Sequence, residues 1–166
     1  GVAQTDLNKT NIALVYQGPG ACEDGCAEAA FEMATLAGLK AVYVGPNDLD
    51  TPQTAQATER LFASAKVWIQ PGGVSNEAYY TMTPKMRSAL YQFIKNGGGY
   101  VGFCAGAFMA TSGIGGTGDP GLAVIPGGTG LFRAYTENPN VVFSLQNVTW
   151  KSPSGEMRKR KVYFEG

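Results

Sequence analysis

The sequence contains no histidine. A Ser-His-Asp or Cys-His-Glu triad therefore cannot be complete within these residues. A zinc site would have to use cysteines and carboxylates alone, and Cys22, Cys26 and Cys104 do not have the spacing of a zinc motif. We therefore expect no metal site and no cofactor.

The sequence also lacks a long apolar run, a charge imbalance and a phosphate-binding loop. No stretch of about 18 apolar residues could form a membrane-spanning helix. Lys+Arg and Asp+Glu balance at 13 each, which argues against nucleic acid or an anionic membrane as the main partner. The one basic run, residues 158–161, is typical of a solvated edge strand. No Walker motif and no well-placed G-x-G-x-x-G is present, so a nucleotide-binding function is rejected.

The sequence begins without methionine, at Gly-Val-Ala-Gln. Either a tag was cut or an export signal was removed, and small residues before a polar start favour export. Cys22 and Cys26 could bridge in an oxidising compartment. However, we expect a helical pair four residues apart to have poor disulfide geometry.

Short apolar runs alternate with segments of helical periodicity along the first two thirds of the chain. This order predicts a mostly parallel sheet with helices on both faces. The predicted strands are 11–16, 40–44, 66–70 and 100–103. The predicted helices are 25–37, 51–63, 75–82 and 84–95, the last with Thr83 as its N-cap. Residues 112–130 are rich in turns, and 141–150 with 156–164 predict an antiparallel hairpin.

Residues 99–111 combine a short apolar strand, Cys104 and the first turns of a helix. A strand that turns sharply into a helix with a nucleophile at the corner is a nucleophile elbow. Small neighbours suit such a tight turn, and a helix N-terminus favours a thiolate. The alternative is a buried cysteine that acts as a small apolar residue.

Several motifs together resemble a known family. They are Val-Tyr-Gln-Gly-Pro-Gly at 15–20, Gln-Pro-Gly-Gly at 70–73, Gly-Tyr-Val-Gly-Phe-Cys-Ala-Gly at 99–106, Gly-Asp-Pro at 118–120 and Val-Tyr-Phe-Glu-Gly at 162–166. In this order they are similar to the class I glutamine amidotransferase-like superfamily. The closer likeness is to the N-terminal domain of biotin–protein ligases and its stand-alone bacterial relatives.

The resemblance implies an α/β fold, a flavodoxin-like three-layer sandwich with a C-terminal antiparallel hairpin and a nucleophilic-cysteine pocket. It does not imply biotin ligation, which belongs to a separate catalytic domain. We expect residues 1–166 to form a single glutamine amidotransferase-like domain that lacks its C-terminal portion, since triad-bearing relatives carry a histidine beyond this region. We expect the binding partner to be a small-molecule ligand or substrate. The sequence leaves open whether the protein forms a homo-oligomer.

Three functions compete. In the first, Cys104 attacks an amide or related C–N bond and forms a thioester. The N–H groups of Gly73 and Ala105 stabilise the oxyanion. The other candidate binding residues in these loops are Gly18, Gly20, Gly72 and Gly106. Glu23 is the candidate acid, with Asp24 and Glu77 nearby.

The second function is a non-catalytic module that binds a small molecule or docks a partner, which the missing histidine favours. Its pocket walls would be aromatic side chains, namely Tyr79, Tyr80, Phe108, Phe132 and Tyr135. The third function is redox. In this case Cys104 cycles through sulfenic acid or pairs with Cys22 or Cys26.

Overall fold

The computed structural model of the chain describes residues 9–114, 117–129 and 143–165. These residues fall into two compact units, one that ends at Thr129 and one that begins after it. The prediction of one domain over residues 1–166 stays a prediction. Phe132, Tyr135 and Gly166 lie outside the described residues.

The first unit is built on a four-stranded parallel sheet with the strand order β2-β1-β3-β4. The strands form where continuous apolar runs predict them, as expected for strands buried on both faces. Their bounds are β1 (Ile12–Tyr16), β2 (Lys40–Val44), β3 (Val67–Gln70) and β4 (Gly99–Gly102).

Five helices connect or follow these strands. They are α1 (Cys26–Leu36), α2 (Ala55–Ser64), α3 (Ser75–Thr81), α4 (Pro84–Lys95) and α5 (Ala105–Ala110). The predicted cap of α4 is confirmed, since Thr83 Oγ1 accepts a hydrogen bond from the Met86 N–H at 3.2 Å. Among the helices described here, none has the length and apolar character needed to cross a membrane.

Helix α2 begins later than the sequence predicts. Residues 51–54 form turns instead of the first helical turn. Thr54 Oγ1 donates to the Asp48 carbonyl at 2.6 Å, which ties this segment back to the preceding loop. The prediction of a helix from 51 was wrong at this end because a threonine hydroxyl competes with the helical backbone bonds.

The two faces of the sheet carry separate apolar layers, which gives the predicted flavodoxin-like sandwich. Ala13, Val15 and Ile69 face α1 on one side. Leu14, Tyr16 and Trp68 face the layer that contains α2, α4 and α5 on the other. Because successive strand residues point to opposite faces, the alternation along β1 assigns each residue to its layer.

Two short strands follow α5, namely β5 (Gly113–Ile114) and β6 (Asp119–Pro120), and they pair antiparallel. The sequence predicts turn residues at 118–121, and two of these residues form β6. Asn76 Nδ2 donates to Asp119 Oδ1 at 3.1 Å, which joins this segment to α3.

The second unit is the predicted antiparallel hairpin. It consists of β7 (Phe143–Lys151) and β8 (Met157–Glu165), paired from Phe143↔Glu165 to Lys151↔Met157. The basic run at 158–161 lies on β8 and is exposed, as predicted for a solvated edge strand.

A buried side-chain hydrogen bond lies at the centre of the sheet. Trp68 Nε1–H donates to Gln70 Oε1 at 2.9 Å, and both side chains are buried. Replacing Gln70 with methionine keeps the side-chain length but leaves the indole N–H without its acceptor. We expect Gln70→Met to lower the free energy of unfolding by about 1–3 kcal/mol.

Urea denaturation measures this loss. Gln92→Met is the matched control, because Gln92 is exposed on α4, and it should change stability by less than about 0.5 kcal/mol. An equally small effect of Gln70→Met would show that the buried bond does not stabilise the sheet.

Candidate functional site

Three loops meet at the carboxyl end of the sheet, where ligands bind in folds of this kind. They follow β1, β3 and β4, and these strands are neighbours in the order β1-β3-β4. The predicted convergence of 18–24, 71–75 and 104–106 is therefore confirmed. The Phe103 N–H donates to the Gln70 carbonyl at 3.1 Å, so the β3–β4 pairing continues up to the residue before Cys104.

Backbone hydrogen bonds join the β1 loop to the β3 loop. The Cys22 N–H donates to the Gly72 carbonyl at 3.0 Å, and the Val74 N–H donates to the Gly20 carbonyl at 2.8 Å. Gly73 lies between these bonds with φ +143°, and a Cβ there would overlap the Gly20 carbonyl. Only glycine fits this position.

Cys104 forms the turn between β4 and α5. Its backbone has φ 50° and ψ −110°, which is far from the usual regions for a residue with a side chain. Its thiol is free and its residue is exposed. The alternative of a buried apolar cysteine is therefore wrong.

Helix α5 packs closely on β3 and holds the Cys104 turn. A Cβ on Gly106 would overlap the Gln70 backbone, so a side chain there would push the helix away. The Tyr100 hydroxyl donates to the Gly106 carbonyl at 2.7 Å. Because α5 has six residues, its dipole is short, and the turn itself is the stronger constraint on the sulfur.

Two backbone N–H groups are available beside this turn. Within the part of the chain that the structure describes, neither the Gly73 N–H nor the Ala105 N–H donates a hydrogen bond. Gly72 is buried, and a Cβ built on it would lie 3.3 Å from Cys104 Cβ. The β3 loop and the Cys104 turn are thus in direct contact.

Cys22 and Cys26 form a disulfide with a Cα–Cα distance of 5.2 Å. The expectation of poor geometry was wrong because the two residues do not share a helix. Helix α1 begins at Cys26, whereas Cys22 lies in the loop before it, and Gly25 at φ +92° turns the chain between them. That glycine directly before the second cysteine was the signal in the sequence.

A cavity of about 580 Å³ opens between the β1 loop and α3. Its lining includes the predicted Gly18, Gly20, Gly73 and Glu23, together with Glu77, while Asp24 and Cys104 are not part of it. Among the described residues, the lining is Gly18, Pro19, Gly20, Ala21, Cys22, Glu23, Gly73, Val74 and Glu77. Among the described residues expected as walls, namely Tyr79, Tyr80 and Phe108, none lines this cavity. Tyr79 contacts Tyr80 instead.

A buried phenol that bonds the β1 loop is not evident from the sequence. The Tyr16 hydroxyl donates to the Pro19 carbonyl at 2.6 Å. Burial raises the pKa of Tyr16 well above its usual range, and the nearby Glu77 carboxylate raises it further. Tyr16 therefore remains a neutral donor that holds the β1 loop.

In the described ranges no group of three or more acidic or thiol side chains could hold a metal ion.

A model of the family described as biotin-protein ligase, N terminal, matches residues 11–126. The chain belongs to this family. The match runs from β1 past β6 and includes all three loops of the candidate site, and membership brings a glutamine amidotransferase-like fold. Neither a search of curated proteins nor a search of solved structures finds a match to the chain.

The two phenols predict how stability changes at alkaline pH. Burial raises the pKa of Tyr100, as it does for Tyr16, whereas an unfolded tyrosine titrates near about 10. Above that pH the unfolded state loses protons that the folded state keeps, so the free energy of unfolding falls as pH rises. Tyr100→Phe should reduce this slope by up to about 1.4 kcal/mol per pH unit.

Urea denaturation at a series of pH values between neutral and alkaline measures the slope. Tyr80→Phe is the matched control, because the Tyr80 side chain is 68% exposed, and it should leave the slope unchanged. A slope for Tyr100→Phe equal to that of the unmodified protein would contradict the assignment.

Proposed function

We propose that this protein is a cysteine-dependent hydrolase of an amide or a related C–N bond. The observation that carries the proposal is the backbone of Cys104, whose φ of 50° and ψ of −110° hold an exposed thiol at a strand–helix corner. Strained backbone of this kind costs about 1–3 kcal/mol and clusters at active sites. A purely structural cysteine would not need it.

The proposed reaction follows from the groups around the thiol. The Cys104 thiolate adds to the carbonyl carbon, and the N–H groups of Gly73 and Ala105 stabilise the oxyanion. The C–N bond then breaks, the nitrogen leaves with a proton, and a thioester remains on Cys104. Water hydrolyses the thioester, which releases the carboxylic acid and restores the thiol. Both N–H groups are without an acceptor among the described residues, which supports this role.

A carboxylate would serve as the base, because the sequence contains no histidine. Glu23 and Glu77 both line the cavity beside the β1 loop. We assign the role to Glu23 because its neighbour Cys22 lies close to the Cys104 turn. The Cys22 N–H donates a hydrogen bond to the Gly72 carbonyl, and Gly72 lies beside Cys104. A small-molecule substrate fits a cavity of about 580 Å³.

A second candidate function is a small-molecule-binding module of the same fold. The cavity favours it, because its lining contains two carboxylates and several backbone groups but not Cys104. In such a module the ligand would stabilise the protein without being converted. A Cys104→Ala variant would then bind it as tightly as the unmodified protein does.

Acylation by p-nitrophenyl acetate tests the nucleophile without knowledge of the substrate. We expect a burst of p-nitrophenol and one acetyl group on the Cys104 peptide, removable by hydroxylamine as a thioester is. Cys26 serves as an internal control, since its sulfur is held in a disulfide. Acetyl groups on lysines alone, with none on Cys104, would contradict the proposed nucleophile.

Ammonia release from a panel of primary amides, including glutamine and asparagine, tests the reaction itself. Cys104→Ala should abolish turnover of any amide that is cleaved, and retained turnover would rule out the mechanism. If Cys104 is acylated but no amide in the panel is cleaved, thermal-shift measurements with the same compounds test the binding function.

The role of Glu23 can be tested on the best amide substrate. Glu23→Gln should lower kcat/KM by about 10²–10⁴, the usual contribution of a general base. Glu77→Gln distinguishes the second carboxylate of the cavity, and Glu32→Gln on the exposed side of α1 is the matched control. Unchanged kcat/KM in Glu23→Gln with a loss in Glu77→Gln would transfer the role to Glu77.

A further inference from the structure

We propose that Cys104 exchanges with the Cys22–Cys26 disulfide, so that the free thiol of the site moves between position 104 and position 22. Cys22 and Cys26 both follow β1, whereas Cys104 follows β4. Strand β3 lies between these two strands, and Gly72 belongs to the loop that follows it. This thiol–disulfide exchange is an activity separate from C–N bond hydrolysis and does not rest on it.

The contact that carries this inference lies at Gly72. A Cβ placed on Gly72 would lie 3.3 Å from Cys104 Cβ and 3.7 Å from Cys26 Sγ. The Cys104 Cβ and the Cys26 sulfur are therefore separated by no more than the sum of these distances. Because bonded cysteines have Cβ atoms about 3.5–4.5 Å apart, formation of the Cys104–Cys26 bond requires the two loops to approach each other by only a few ångströms.

Gly72 is the residue that leaves this space open. Because it has no side chain, the Cys26 sulfur and the Cys104 Cβ, which come from different loops, approach the same point beside it. The β1 loop is held in place by the bond from the Cys22 N–H to the Gly72 carbonyl. The disulfide and Cys104 are thus fixed on the same backbone segment.

The proposed step balances without an external oxidant or reductant. The Cys104 thiolate attacks Cys26 Sγ, a Cys104–Cys26 bond forms, and the Cys22–Cys26 bond breaks. Cys22 leaves as a thiolate and takes a proton from water, while Cys104 has given its proton to water. One disulfide and one thiol exist before and after the step.

Exchange would change which sulfur is exposed to a ligand. In one form Cys104 is a free, exposed thiol. In the other form Cys104 is bonded and inactive as a nucleophile, and the free thiol is Cys22, which lines the cavity beside Glu23. A ligand that fills this cavity would therefore favour one form over the other.

Cross-linking of variants that each retain two of the three cysteines tests which sulfurs meet. With oxidised glutathione as oxidant, Cys22→Ser should form a Cys26–Cys104 bond, and Cys26→Ser should form a Cys22–Cys104 bond about tenfold more slowly, because the contact is with Cys26. Mass mapping of the linked peptides measures both rates. No Cys26–Cys104 bond in Cys22→Ser would overturn the proposal.

The unmodified protein provides a test without substitution. After incubation at mildly alkaline pH without reductant, free thiols are trapped with N-ethylmaleimide in denaturant, and the labelled cysteine is identified. We expect the label on both Cys104 and Cys22. Label on Cys104 alone would contradict exchange. Because this experiment uses the unmodified protein, its result holds even if the Cys22→Ser variant folds poorly and forms no Cys26–Cys104 bond.

Gly72→Ala tests the open space directly. The added methyl group would stand between Cys104 and Cys26, and we expect it to slow Cys26–Cys104 bond formation in the Cys22→Ser background by about tenfold. Gly99→Ala is the matched control, since its Cβ would also have its nearest neighbour at 3.3 Å, at the start of β4. Equal rates in both variants would overturn the role of the contact.

Discussion

The structure of the site depends on a backbone segment without side chains. Gly72 and Gly73 occupy the space between the β1 loop and the Cys104 turn, and both neighbours approach within the distance that a Cβ would need. Two backbone hydrogen bonds hold the β1 loop against this segment. Because hydrogen-bonded backbone deforms little, the loops of β1 and β3 behave as one piece, and the disulfide closes the β1 loop just before α1. The geometry of Cys104 relative to the other loops follows from this close packing.

The strain at Cys104 is offset by interactions of the elements on either side of it. On the strand side, the Phe103 N–H bonds the Gln70 carbonyl, and on the helix side Gly106 packs on the same residue. The Tyr100 hydroxyl joins the two sides through the Gly106 carbonyl. Gln70 is itself fixed by its hydrogen bond to buried Trp68. The turn is therefore held by a hydrogen-bonded network that reaches the centre of the sheet. Substitutions in that part of the core should shift the position of the Cys104 thiol.

The sequence predicts the sheet well and the loops less well, for physical reasons. Buried parallel strands are continuous apolar runs, so Ile12–Tyr16 and Val67–Gln70 are visible without a structure. The beginning of α2 is not, because Thr54 has a hydroxyl that bonds the Asp48 carbonyl across a turn. The disulfide is missed because a spacing of four residues suggests a pair on one helix, whereas the helix begins at Cys26 and leaves Cys22 in the loop before it. The convergence of the three loops follows from topology, but contacts such as that of Gly72 with Cys104 and Cys26 depend on atomic packing, which no sequence pattern specifies.

The backbone of Cys104 also has an evolutionary consequence. Its φ and ψ are the mirror image of an ordinary extended conformation, which glycine adopts as readily as its counterpart and other residues do not. A glycine at position 104 would therefore fold with less strain than the cysteine that is present. If the thiol had no function, mutation would tend to replace Cys104 with glycine, which adopts this backbone conformation with less strain. We therefore expect glycine at this position in relatives that have lost the activity of the thiol, and cysteine in relatives that retain it. The residue at this position would then distinguish the two groups.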